Sequence, residues 1–219
     1  MTNTYRGVVF DLDGTLIDSL EEIATATNQI LEASGHPTHP IEAYKYFAGY
    51  GARVLIERAA PPEVTADPEK LEELLNRFLA LYHELTGTIS KPYDGIAEML
   101  TALVNKGLKI FVLTNKPHDS ACECVEDLMP DWTFDMTLGA RDDVPKKPHP
   151  AGAIEILEAT GIKGEEMLYL GDTSVDMETA KGAGMVPVGV LWGFRERAEL
   201  EESGARHIIS HPLELLKLL

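Results

Sequence analysis

Four short runs of this chain are almost wholly apolar: Gly7 to Phe10, Leu108 to Leu113, Met167 to Leu170 and Val186 to Leu191. Near-continuous apolar runs of this length fit strands covered on both faces, as in a parallel sheet. Between them the apolar positions fall at helical spacing. Ile96, Met99, Leu100, Leu103 and Val104 make one such stripe, and Gly107 follows where a helix-ending glycine belongs. Ala153 to Thr160 ends in the same way at Gly161. Strand alternating with helix predicts an α/β fold, a doubly wound and mainly parallel Rossmann-like sheet.

One stretch breaks the alternation. From Ser19 to Thr88 only helical patterns occur. Ser19-Leu20-Glu21-Glu22 reads as a capping box opening a helix that ends near Gly35. Asp67-Pro68 opens another, with Leu71, Leu74, Leu75, Phe78, Leu81 and Tyr82 on its apolar face. The predicted organisation is an α/β core from residues 1–16 and 89–219, interrupted by an all-helical cap at 17–88. A helical insert beside the C-terminal edge of a sheet is well placed to act as a lid.

With 219 residues, 44% of them hydrophobic, the chain can bury a sizeable core. Its formal charge of −17 disfavours nucleic acid and anionic membranes as partners. An anionic substrate therefore needs a local reversal of the field by a metal, a lysine or helix N-termini. Cys122 and Cys124 lack the further partners that a zinc site or a disulfide framework requires, so free thiols are expected. No signal-peptide pattern stands before the apolar run at Val8, which stops at Asp11, and the cytoplasm is the expected compartment. Oligomeric state is open between monomer and homodimer.

In an open α/β sheet, ligands bind beyond the C-terminal ends of the strands. There the chain places Asp11 and Asp13, then Thr114-Asn115, then Asp172 and Asp176, with Lys146-Lys147 on an intervening loop. Each aspartate alone reads equally well as a helix cap or turn residue. Four at such strand ends repel one another by several kcal/mol each at contact distance, unless a cation sits among them. An all-oxygen ligand set that also handles phosphate suits a partly hydrated Mg²⁺.

Val8-Val9-Phe10-Asp11-Leu12-Asp13-Gly14-Thr15-Leu16 resembles the first signature of the haloacid dehalogenase-like hydrolases. Thr114-Asn115, Lys147 and Gly171-Asp172 with Asp176 resemble the next three, in the family's order, and the helical insert resembles its type 1 cap. Gly189 to Phe194 and Gly204-Ala205-Arg206 are similar to the phosphoglycolate phosphatase branch. The resemblance implies Asp11 as nucleophile and Asp13 as general acid and base. It implies Asp11, Asp172 and the backbone carbonyl of Asp13 as metal ligands. Asp176 would contact the metal through water or brace Lys147. Thr114, Asn115 and Lys147 would bind the transferring phosphoryl group, Lys147 being preferred to Lys146 because the family has lysine directly before proline.

An aspartate at position 13 argues for phosphoryl transfer, since a halide leaves without a proton. The implied activity is a Mg²⁺-dependent phosphatase acting on a small phosphorylated metabolite, phosphoglycolate foremost. A β-phosphoglucomutase-like enzyme is the alternative, and a non-catalytic binding module on the same fold is the alternative of another class. In the cap loop Ala48-Gly49-Tyr50-Gly51-Ala52-Arg53, Arg53 reads either as a partner for a substrate carboxylate or as a surface arginine paired with Glu57. Lys45 carries the same two readings, and His118 is expected to lie outside the site.

Overall fold

The structure, a computed structural model, describes residues 5–219. Its strands are β1 (Gly7–Phe10), β2 (Ile17–Asp18), β3 (Lys91–Pro92), β4 (Lys109–Pro117), β5 (Met136–Ala140), β6 (Met167–Gly171), β7 (Val186–Val190) and β8 (His207–Ile209). Its α-helices are α1 (Leu20–Ala33), α2 (Tyr44–Phe47), α3 (Ala52–Ala59), α4 (Pro62–Thr65), α5 (Pro68–Leu85), α6 (Ile96–Asn105), α7 (His118–Leu128), α8 (Ala151–Thr160), α9 (Ser174–Gly182) and α10 (Arg197–Glu202).

Six strands form one parallel sheet in the order β5-β4-β1-β6-β7-β8. β1, β6 and β7 are buried along their whole length, which is why they read as unbroken apolar runs. Separate apolar clusters fill the two sides of the sheet, one around Val8, Phe10 and Leu100, the other around Val9, Phe111 and Ile156. β4 and β5 are added on one side of β1 and β6 to β8 on the other, a change of winding direction that opens a crevice at the C-terminal ends of β4, β1 and β6. Two edge strands, β5 and β8, left no clear mark in the hydrophobic pattern. Both are short and only partly buried, as edge strands are.

The helices between β2 and β3 close on a third apolar cluster, which includes Ile23, Tyr44, Leu55, Phe78 and Tyr82. Phe194, from the loop after β7, packs into this cluster and ties it to the sheet. β2 and β3 pair antiparallel, Ile17 with Pro92 and Asp18 with Lys91, so the chain enters and leaves the helical segment through one two-stranded ribbon. The boundary expected after residue 16 therefore falls at the start of that ribbon, and the one expected after residue 88 falls just short of its second strand.

The helix starts differ from expectation at one end. Asp67 caps α5 as its sequence predicts, accepting from the N–H groups of Glu69 and Lys70. The capping box at α1 does not form, because the Ser19 side chain makes no cap bond. Glu22 turns instead toward the returning chain and accepts from Ile89 N at 3.3 Å and Ser90 N at 3.2 Å. Those N–H groups lie beside a fully buried carboxylate, and pairing them offsets a desolvation cost that an exposed capping glutamate would not meet.

Candidate active site

β1 ends at Phe10 and delivers Asp11 into the crevice, its N–H still bonded to Leu170 O at 2.9 Å as if the strand continued. The chain then turns sharply, with the N–H groups of Thr15, Leu16 and Ile17 all directed at Leu12 O. Gly14 makes the turn with φ of 83°, and a side chain there would run into the Asp172 carboxylate. Asp13 is thus carried off the strand axis to the far side of a cavity that it shares with Asp11.

Asp11, Asp172 and Asp176 each present a carboxylate oxygen within 4.8 Å of the others, and all three are buried. Lys147 reaches into the group, with Nζ 2.8 Å from Asp11 Oδ1 and 2.7 Å from Asp176 Oδ1. Asp176 also closes the capping box of α9, accepting from Thr173 N and Oγ1. Asp172 accepts from Phe194 N at 2.8 Å and from Thr15 Oγ1 at 3.3 Å. The Asp13 carboxylate stands apart from this cluster. Of Asp13, only the backbone carbonyl is left for the metal-ligand role expected of it.

Three buried carboxylates against one ammonium leave the cluster short of positive charge. Burial first, then the charges of Asp176 and Asp13, outweigh Lys147 and push the Asp11 carboxyl up to about 7. Burial, then Asp176 and Asp11, raise the Asp172 carboxyl well above its usual range. Burial opposes the charge of Lys147, yet Asp11 and Asp176 outweigh it and hold the ammonium protonated. An oxygen-only set of this kind fits a hard divalent cation, which would restore balance and keep Asp11 ionised.

The chain 7–117 reaches the same edge through β4, whose pairing with β5 is irregular. Leu113 pairs with Leu138 and Pro117 with Ala140, so four residue steps along β4 match only two along β5. This bulge re-aims Thr114, Asn115 and Lys116, all of them buried. Thr114 Oγ1 accepts from Lys116 N, which leaves its own hydrogen free to donate to a ligand in the cavity that it lines. Asn115 does not have that freedom. Its Nδ2 donates to Lys147 O at 2.9 Å and Gly49 O at 3.0 Å, and its Oδ1 accepts from Lys147 N. Both amide donors are engaged, so the direct phosphoryl contact expected of Asn115 gives way to positioning Lys147 and the helical segment.

A scan against protein-family models matches residues 8–190 to haloacid dehalogenase-like hydrolase. The chain belongs to that family. Among curated relatives, the phosphoglycolate phosphatase of Aquifex aeolicus is 34% identical over 98% of this chain and 96% of its own. That of Pectobacterium atrosepticum is 32% identical over 98% of this chain and 92% of its own. The solved structure of a predicted phosphoglycolate phosphatase from Haemophilus somnus superposes with a TM-score of 0.90 at 28% identity, covering 100% of this chain and 99% of that one. These relatives place this haloacid dehalogenase-like hydrolase in the phosphoglycolate phosphatase-like branch, among phosphoric monoester hydrolases.

In this hydrolase the helical segment roofs a cavity of about 60 Å³. Ala48, Gly49 and Gly51 of the α2–α3 loop form part of its wall together with Asn115 and Lys116. The φ angles of 110° at Gly49 and 91° at Gly51 require glycine there. Arg53 is not on the cavity wall. It pairs with Glu72 of α5, neither with a site group nor with Glu57, because α5 packs against α3 and offers the nearer carboxylate. Lys45 pairs with Glu42 at 2.8 Å. His118 accepts from Gly139 N and stays outside the site, and Lys146 is exposed. Cys122 and Cys124 are free thiols. Among the described residues no helix is long and apolar enough to cross a membrane.

Sequence reading missed three buried groups at the crevice. Lys116 and Tyr82 line the cavity. Arg195 donates to Ala48 O at 3.2 Å and pairs with Glu199 at 3.1 Å. The available signal for Lys116 was its place at the C-terminal end of a strand, directly after Thr114-Asn115. Arg195 stands four residues before Glu199, a spacing that an exposed helix pair shares, so its position in the chain carries no such signal.

The raised Asp11 carboxyl predicts the pH response of the metal-free protein. Its folded value of about 7 lies above the ordinary 3.8, so folding takes up a proton between these values. Ionising Asp11 therefore costs stability as pH rises through this window. Without divalent cation, the melting temperature should fall between about pH 4 and pH 7, and less steeply in Asp11→Asn. Added divalent cation should restore it most at the upper end. A flat profile, or one as steep in Asp11→Asn, would show that Asp11 is not strained by its surroundings.

Proposed function

We propose that this chain is a Mg²⁺-dependent phosphatase that hydrolyses phosphoglycolate through a phospho-aspartyl intermediate on Asp11. Residues 17–88 serve as its cap, over a core made of 1–16 and 89–219. The observation that carries the reading is the pair Asp11 and Asp13 on one small cavity, with Asp11 alone tied to the Lys147–Asp176–Asp172 cluster. One aspartate is thus furnished for nucleophilic attack while its neighbour is left free for proton transfer.

Asp11, Asp172 and the Asp13 carbonyl, with Asp176 alongside, would hold a Mg²⁺ ion, which would supply positive charge against the phosphoryl oxygens. Lys147 and the Thr114 hydroxyl hold the same oxygens from the other side. The Asp11 carboxylate attacks phosphorus, and the bond to the ester oxygen breaks. Asp13 gives its proton to the departing alkoxide, which leaves as an alcohol. Asp13, now a carboxylate, takes a proton from a water that attacks the phosphorus of the aspartyl phosphate. The P–O bond to Asp11 breaks, inorganic phosphate forms, and both aspartates return to their starting states. Asn115 keeps Lys147 in register throughout.

The cavity supports a small leaving group. About 60 Å³ is room for only a few waters, which suits a two-carbon ester better than a hexose. Phosphate release should be measured with Mg²⁺ on phosphoglycolate, pyrophosphate, β-glucose 1-phosphate and nucleotide monophosphates. Phosphoglycolate should show the highest kcat/KM, and EDTA should stop turnover until Mg²⁺ is returned. Conversion of β-glucose 1-phosphate to glucose 6-phosphate, or undiminished activity in EDTA, would overturn the reading.

A further inference from the structure

Lys116 is a buried cation on the cavity wall that the steps above leave unused. Its side chain is 1% exposed, and its Nζ lies 3.6 Å from Asp13 Oδ1. It donates to Tyr82 Oη at 2.5 Å and stands 4.1 Å from the centre of the Tyr82 ring. Burial opposes its charge, but Asp13 and Tyr82 outweigh that and keep it protonated. An ammonium has three donors. One is given to Tyr82, and the Asp13 oxygen is too distant for a second hydrogen bond. Asp13 Oδ1 itself is buried without a hydrogen-bond partner. Donors of Lys116 and an unsatisfied oxygen of Asp13 therefore meet at one end of the cavity.

That pairing has a direct chemical complement. The oxygen that Asp13 protonates must lie within hydrogen-bonding reach of Asp13. An acceptor within reach of Lys116 as well is then only about three bonds farther along the leaving group. A carboxylate attached one carbon beyond the ester oxygen meets this requirement. A neutral alkyl group there offers the buried ammonium no acceptor, which is costly for a buried charge. The remaining wall here, Ile23, Leu55 and Phe78, offers no other charge to such a group.

We propose that Lys116, steadied by Tyr82 of the helical segment, is the specificity-determining residue that binds the carboxylate of the leaving group. This rests on the phosphatase reading above and adds the group that selects the substrate. Because Tyr82 belongs to α5 and Lys116 to β4, selection requires the helical segment seated on the sheet.

The test compares phosphoglycolate with ethyl phosphate, which has the same chain length and no carboxylate. The readout is the ratio of their kcat/KM values in wild type, Lys116→Met and Tyr82→Phe. Lys116→Met should lower the ratio by about 30-fold or more, as loss of one partner of a buried charge pair does. Tyr82→Phe, which removes a single hydroxyl, should lower it about 3- to 10-fold. Equal losses on both esters would overturn the proposal and leave Lys116 as a support for Asp13. A wild-type preference for phosphoglycolate that survives both substitutions would overturn this inference alone. A wild type with no preference for the carboxylated ester would overturn the phosphoglycolate reading too. If Lys116→Met does not fold, the Tyr82→Phe ratio decides, and an unchanged ratio sinks the proposal.

Discussion

Asp11→Asn is expected to lower phosphate release by at least about 10⁴-fold, in line with removal of a covalent nucleophile. The amide keeps the shape of the carboxylate but does not attack phosphorus. The fold should survive, since Lys147 retains its 2.7 Å contact with Asp176. Stability without metal should even improve at alkaline pH, because the substitution removes a buried carboxylate that burial pushes up to about 7. Loss of activity with an undiminished melting temperature would separate chemistry from structure. Ordinary turnover by the variant would rule out an aspartyl phosphate on Asp11.

Lys147→Met should damage both activity and stability. The ammonium is the cation between Asp11 and Asp176, at 2.8 and 2.7 Å. Removing it leaves buried carboxylates uncompensated, a change that typically costs about 3–5 kcal/mol. Urea unfolding without divalent cation should show that loss at about pH 8. The loss should shrink as pH falls below about 7, where Asp11 takes up a proton and needs no partner. Phosphate release should fall about 10³-fold, as when one preorganised donor to a developing charge is removed. A variant as stable as wild type at every pH would mean that the cluster balances its charge without Lys147.

The two predictions draw unequally on sequence and structure. That Asp11 and Lys147 belong to one sheet edge was legible from strand ends and motif order, and the structure places them in contact. That Lys147 binds both Asp11 and Asp176, and so links activity to pH-dependent stability, required the crevice geometry. The same division runs through the site. Asp172 and Asp176 were placed by the apolar run that ends at Gly171, and the structure brings them to Asp11. Asn115 lies at the sheet edge where its strand was expected to end, and its amide is engaged with the backbone of Lys147 and Gly49. Arg53 was sought in the site because it follows the glycine loop, and it pairs with Glu72 instead.

Local features carried what the chain alone could settle. Apolar runs, helix stops at Gly107 and Gly161, and an all-helical stretch define a parallel sheet with an insert, because each depends on residues near in sequence. Strand direction then puts the residues after each strand at one edge. Side-chain direction at that edge is another matter. The β4 bulge re-aims Thr114, Asn115 and Lys116, and a shift of one residue in a strand reverses which face a side chain meets. The partner that Lys116 finds on α5 lies 34 residues away in the chain. Cavity size, the pairing of Lys116 with Tyr82 and the turn of Glu22 toward Ser90 are long-range packing outcomes, decided only when the helical segment settles on the sheet.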